Sequence, residues 1–154
     1  MNDTERCYSL ADIASLTFIT DRTLRKCINN GVLVGQKCNG KWEFSFDELM
    51  KFISSKDIAI AAQKRQKSVL SEALFAARTK AMTKFEAYKF TDFSEELMCE
   101  IINFSLKARD EYGITTCLAF VKNAPCIAYF GELASVEKAT RRLLEIPYLR
   151  RFVK

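Results

Sequence analysis

The sequence predicts a mostly helical α+β fold in three parts: a helix-helix-hairpin-helix unit over residues 1–54, a long linker helix over 55–90, and a small α-β-β-α module over 91–154. Three observations lead there. Residues 1–54 hold several helix-start signals and one hairpin signal. Residues 55–88 contain neither Gly nor Pro. Beyond them, two runs rich in β-forming residues lie between two segments with helical spacing.

In the first part, Ser9 followed by Asp12 has the form of a capping box and opens a short helix over about 10–16. Thr20 is a second N-cap, with Ile19 and Leu24 placed as a hydrophobic staple, for a helix over 21–29 that Asn30-Gly31 closes. Val32-Leu33-Val34 and Lys41-Trp42-Glu43-Phe44 then flank a polar tip containing Asn39-Gly40, the strongest short hairpin signal. Ser45-Phe46-Asp47-Glu48 is a full capping box, opening a helix through Leu49, Met50, Phe52 and Ile53.

The second part is rich in Ala, Lys, Gln, Arg and Glu, which favours one helix up to about 50 Å long at 1.5 Å per residue. Leu70, Leu74, Ala77, Ala81, Phe85 and Tyr88 recur at helical spacing and define one stripe for burial. Leu70, Leu74, Ala77, Ala81 and Phe85 are accordingly assigned to dimerisation with the same helix of a second subunit, the competing partner being another segment of this chain. In the third part, Ser94 with Glu95 and Glu96 opens a helix that Gly113 ends. Residues 114–121 and 126–130 are strands joined by Lys122-Asn123-Ala124-Pro125, and Ser135 caps a final helix ending near Pro147. Two strands alone gain most by pairing with a second copy, which again implies a homodimer.

Charge is unevenly placed. The net +5 resides entirely in residues 54–90, with eight basic side chains against three acidic, whereas 1–53 and 91–154 each balance to zero. Within the first part, residues 20–41 concentrate Arg22, Arg25, Lys26, Lys37 and Lys41 against Asp21 alone. The chain has no histidine, which excludes Ser-His-Asp and Cys-His nucleophile pairs and every His-based metal motif. Its six cysteines form no Cys-x-x-Cys pair, so neither a structural zinc nor any other cofactor is expected, and an enzyme is the least favoured class. No run approaches the roughly 20 apolar residues that span a bilayer, and the first 15 residues are too polar for a signal peptide. The expectation is a cytoplasmic protein without a membrane partner.

Thr20-Asp21-Arg22-Thr23-Leu24-Arg25 resembles the Ser-x-Arg-Thr-Leu-Arg opening of the recognition helix in the MerR superfamily. Gly31-Val32-Leu33 resembles the Gly-Leu-Leu that leads into the wing of that superfamily. Trp42-Glu43-Phe44 followed by Asp47-Glu48-Leu49 resembles the aromatic-x-aromatic and Asp-x-Leu region of phage excisionases, the nearer branch. Residues 8–53 thus resemble a winged helix-turn-helix, and the resemblance implies double-stranded DNA as partner. The chain departs from metal-sensing MerR proteins at Lys26-Cys27, where those carry two tyrosines, and at Trp42, where the wing often has arginine.

The residues themselves support the same role. A helix whose exposed start carries Thr20, Arg22, Thr23, Arg25 and Lys26 suits the major groove, where hydroxyl and guanidinium groups reach base edges and phosphates. A hairpin tipped by Lys37, Asn39 and Lys41 suits the adjacent backbone or minor groove. The leading expectation is a dimeric, sequence-specific transcriptional regulator. One alternative is a phage or mobile-element factor, excisionase-like or of the packaging type. The other is a protein interaction module that does not bind DNA. Trp42 reads as wing-base core, Cys27 as a small buried residue or a redox sensor activated by Lys26, and Cys99, Cys117 and Cys126 as core. Phe104, Phe120, Tyr129 and Phe130 read either as core or as the lining of a small-molecule pocket, leaving a small-molecule or protein effector open for residues 91–154.

Overall fold

The computed structural model describes residues 6–77, 83–90, 94–121 and 124–146. The chain divides into two compact units, residues 1–66 and 67–154. It is α+β, with two three-stranded antiparallel sheets among largely helical elements.

The first unit contains β1 (Tyr8–Ser9), α1 (Leu10–Thr17), α2 (Asp21–Asn29), β2 (Gln36–Cys38), β3 (Lys41–Phe44), α3 (Phe46–Ser54) and the start of α4 (Lys56–Ala77). Its helix starts follow the side-chain chemistry. Ser9 and Asp12 form both halves of a capping box. Thr20 caps α2 by accepting from the Thr23 amide, and Ser45 caps α3 by accepting from the Glu48 amide. The Ser45 box is only half made, because the Glu48 carboxylate instead meets Lys51 at 3.1 Å.

The turn from α1 to α2 is held at several points. Phe18 takes the left-handed conformation (φ 57°), normally unfavourable for a residue with a Cβ, while its amide closes onto the Ala14 carbonyl at 2.9 Å. Buried Thr17 donates to the Ile13 carbonyl and accepts from the Ile19 amide. Arg65 of α4 donates to the Phe18 carbonyl at 3.2 Å, which satisfies an acceptor at the end of α1. After α2, Gly31 (φ 73°) lets the Val32 amide return to the Cys27 carbonyl at 2.8 Å and its own amide to Ile28, a Schellman closure. Ile13, Ile19, Leu24, Leu33, Phe44 and Leu49 are fully buried or nearly so and make the core.

The sheet order is β1-β3-β2, with Cys38 opposite Lys41 around an Asn39-Gly40 turn. Both turn residues have positive φ (48° and 78°), the primed geometry that matches strand twist. The expected strand at Val32-Leu33-Val34 does not form. Val32 and Val34 are each 53% exposed and only Leu33 turns inward, while the paired residues begin at Gln36. Tyr8–Ser9 adds a two-residue strand that local patterning did not reveal, paired with Phe44 and Glu43.

The second unit contains the rest of α4, then β4 (Thr83–Lys89), α5 (Glu95–Tyr112), β5 (Thr115–Val121), β6 (Ala124–Glu132) and α6 (Leu133–Glu145). The single helix expected over 55–90 is therefore corrected. It is a 22-residue helix of about 33 Å at 1.5 Å per residue, followed by a strand. Residues 83–89 alternate in side-chain direction and include Thr83, Phe85 and Tyr88, all strong strand formers. Seven residue pairs with β6 outweigh a helical stripe that no partner in the described residues covers. Phe85 thus leaves the proposed dimerisation helix for a strand. Leu70 and Leu74 remain on α4, 38% and 54% exposed. Ala77 ends α4, its side chain lying outside what is described, and Ala81 lies outside the described residues.

The expected α-β-β-α module is accordingly β-α-β-β-α, with sheet order β4-β6-β5. The third strand removes the argument that two strands need a second copy to complete them. Ser94 caps α5 and Gly113 (φ 65°) closes it, as expected. Ser135 does not cap α6: β6 runs to Glu132, which is itself the N-cap, so Ser135 falls within the first helical turn. Ala124 and Pro125 belong to β6 rather than to a loop; Lys122 and Asn123 lie outside the described residues.

Candidate nucleic-acid interface

On α2, residues 21, 22, 25, 26 and 29 fall on one face at 100° per residue, and all five are exposed. Leu24 is fully buried on the opposite side, which it shares with half-buried Cys27, and half-buried Ile28 lies at the margin. The outward face therefore presents Arg22, Arg25, Lys26 and Asn29. Thr20 and Thr23 sit at the helix start, their hydroxyls 3.0 Å apart and partly engaged in capping. Arg25 Nε meets Asp21 Oδ2 at 2.6 Å, one helical turn back. Both partners are more than half exposed, so the contact orients the guanidinium more than it stabilises the fold.

The hairpin sorts its cations by the pleat. Lys37 lies opposite Trp42, and these two share one face of the ribbon with Phe44. Cys38 and Lys41 form the next pair and share the other face with Gln36 and Glu43. Trp42 stacks on Phe44 with ring centroids 6.4 Å apart, and only Phe44 is buried. Trp42, Arg25, Ile28 and Asn29 together line an open cavity of about 220 Å³ between α2 and the hairpin. The structure thus brings Arg22, Arg25 and Lys26 together on α2 and places Lys37 on the Trp42 face beside it. Lys41 points to the opposite face, and Asn39 is at the exposed tip.

The sequence alone left Asn29 unassigned and put Trp42 in the core at the wing base. Asn29 was available from helical spacing, since it is one turn beyond Arg25 and two beyond Arg22. Trp42 is half-buried and lines the cavity rather than closing a core, which only the placement of α2 reveals.

The cysteines do not gain reactivity here. Partial burial pushes the Cys27 thiol up from its ordinary pKa, opposing the thiolate a redox sensor needs. Cys38 is likewise raised, chiefly by a hydrogen bond to Glu43 and by that carboxylate's charge. Cys99 is buried, while Cys117 and Cys126 are only half-buried, on a sheet face rather than in the core. Among the described residues no group of three or more Cys, Asp or Glu is placed to hold a metal ion.

In the second unit, the four aromatic side chains considered for a pocket do not line one space. Phe104 meets Tyr129 edge-on at 5.5 Å beneath the helices, and the Tyr129 hydroxyl bonds Thr140 at 2.8 Å. Phe130, next in β6, points through the sheet to the other side and stacks on Phe85 at 4.9 Å. No helix of the described residues is long and apolar enough to cross a membrane. No family model, curated protein or solved structure matches the chain.

Proposed function

We propose that the first unit is a winged helix-turn-helix that binds double-stranded DNA sequence-specifically, with α2 in the major groove and the β2-β3 hairpin as the wing. One observation carries the reading: Arg22, Arg25, Lys26 and Asn29 share the exposed face of a helix whose opposite side is core, next to a primed hairpin bearing Lys37. Guanidinium groups read guanine edges in two contacts, amide side chains read adenine, and lysines neutralise phosphates. The half-buried Trp42 supplies an apolar wall for a sugar or a thymine methyl at the same place. The MerR and excisionase resemblance of residues 8–53 supports the same assignment.

The protein acts, in this reading, as a homodimeric transcriptional regulator presenting two such heads to two half-sites. The exposed apolar side chains of the second unit, among them Leu70, Leu74 and Phe75, support self-association. Selection from a random double-stranded oligonucleotide pool tests both parts. Enrichment of a two-half-site motif is the expected result. Enrichment of a direct-repeat array favours the mobile-element reading, and no enrichment favours a protein interaction module.

A further inference from the structure

The cavity between α2 and the hairpin has two kinds of wall. Arg25 and Asn29, one helical turn apart on the exposed face of α2, line it with polar groups. Ile28 and Trp42, both half-buried, line it with apolar surface. Among the described residues no carboxylate lines it. The Asp21 carboxylate takes the Nε–H of Arg25 at 2.6 Å, which leaves the four N–H donors on the terminal nitrogens for another acceptor. Lys37, opposite Trp42 in the hairpin register, adds a second cation on the same face of the ribbon. Trp42 is also the one tryptophan of the chain.

We infer that this cleft seats one sugar-phosphate unit of a DNA strand, with the phosphate on Arg25 and Asn29 and the deoxyribose against the Trp42 ring. That seating rests on the proposed placement of α2 in the major groove, and it decides between a sugar and a thymine methyl as the occupant beside Trp42. The dimensions select the sugar. An α-helix with its side chains is about 10–12 Å across, and the major groove of B-DNA is about 12 Å wide. In that groove α2 leaves no room for a second element, so a hairpin lying beside it stands outside the groove. What passes between the two is then the wall of the groove, one sugar-phosphate strand. A thymine methyl belongs to the floor of the groove and meets the outward face of the helix, not a cleft at its side.

The chemistry of the lining fits that unit. Guanidinium and amide N–H groups donate to phosphate oxygens, and charge assistance makes the Arg25 contact the stronger of the two. The indole, next to Ile28, gives an apolar surface for the sugar carbon that carries no hydroxyl in DNA. A ribose has a hydroxyl at that carbon, and against the ring it loses water without gaining a partner. The cleft therefore discriminates deoxyribose from ribose at a single nucleotide. It also divides the exposed face of α2. Arg25 and Asn29, on the hairpin side, hold the backbone, and Arg22 and Lys26, farther round the helix, are left for the groove.

The test uses the full chain and the duplex enriched from the random pool, altered one nucleotide at a time. Fluorescence of Trp42, the sole tryptophan, is expected to change saturably as that duplex is added and to stay level with millimolar deoxyadenosine monophosphate. At one nucleotide of each bound half-site, a neutral methylphosphonate linkage weakens the natural protein about tenfold and a ribose weakens it about fivefold. Arg25→Ala abolishes the first penalty and keeps the second. Trp42→Ala abolishes the second and keeps the first, and Trp42→Phe, which restores an aromatic wall, restores the ribose penalty. Circular dichroism confirms that each variant is folded, and the fluorescence change and the nucleotide scan of the natural protein need no variant. Duplex binding without a change in Trp42 fluorescence, no nucleotide at which both alterations weaken binding, or penalties that survive the variants overturns the inference and leaves DNA recognition standing. So does a loss on replacing thymine by deoxyuridine that Trp42→Ala removes, which puts the methyl in the cleft. Saturable binding of the free nucleotide overturns it too, making the cleft a mononucleotide site. A pool from which no duplex is enriched strikes the DNA reading itself, and the inference with it.

Discussion

The two sheets of this protein have the same number of strands and the same antiparallel pairing, but they differ in strand length and in the side chains they carry. In the first unit the strands are two, three and four residues long, and Gln36, Lys37, Lys41 and Glu43 are all exposed. In the second they are seven to nine residues long and show an apolar, nearly uncharged side. Short charged strands discourage edge pairing and fix a hairpin beside α2. Long strands with small and aromatic residues bury Phe130 on one side of the sheet and Ile127 and Tyr129 on the other. In the function proposed above, nucleic-acid contact falls to the first unit and self-association to the second.

The comparison is broken most severely by removing the anchor of the first sheet. Phe44 is fully buried on the central strand beside Trp42, so Phe44→Ala is expected to destabilise the first unit by about 3–5 kcal/mol in urea denaturation and to abolish DNA binding. Retained DNA affinity in that variant means that the hairpin does not position the interface. Next in size is Arg22→Ala, which leaves the fold intact, weakens binding to the selected site by about 1–3 kcal/mol and relaxes base preference in a competition assay. If it binds as well as the natural protein, the exposed face of α2 is not the one that meets bases.

A smaller difference separates the hairpin cations. Lys37 lies on the Trp42 face and Lys41 on the other, so Lys37→Ala should weaken binding several-fold more than Lys41→Ala in fluorescence anisotropy. Equal losses imply that the wing enters DNA tip-first, with both faces in contact. The smallest effect belongs to the second sheet. Burial pushes the Cys117 thiol up to about 11 from an ordinary value of 9.0. Between those values the unfolded chain releases this proton and the folded chain keeps it, so stability present below pH 9.0 declines as pH rises toward about 11. Cys117→Ser should flatten that decline in thermal melts, and more so than Cys27→Ser, whose thiol burial raises as well.

What was legible in advance is the chemistry that closes within four residues. Ser9, Thr20, Ser45 and Ser94 cap helices where the sequence places caps, and Asn39-Gly40 makes the turn. What was not legible depends on a distant partner. Tyr8–Ser9 is a strand only because β3 is beside it. Val32 and Val34 have strand-forming side chains but no such partner, because Gly35 lies directly against the Phe44 ring and pairing starts one residue later. Residues 83–89 satisfied a helical stripe as well as an alternating one, and β6 decided between them. At the site, the cationic face of α2 followed from helical periodicity. The separation of Lys37 from Lys41 and the approach of Trp42 to Arg25 required the hairpin register and its placement against α2.

The central claim is that the α2 face and the hairpin neutralise DNA phosphates, and the salt dependence of binding to the selected site measures it most directly. Five cations, Arg22, Arg25, Lys26, Lys37 and Lys41, are available per head, so log K against log salt should fall with a slope of about −3 to −5 for one head. Lys26→Ala should make that slope shallower by about one. An affinity that stays level between low and physiological salt contradicts the account.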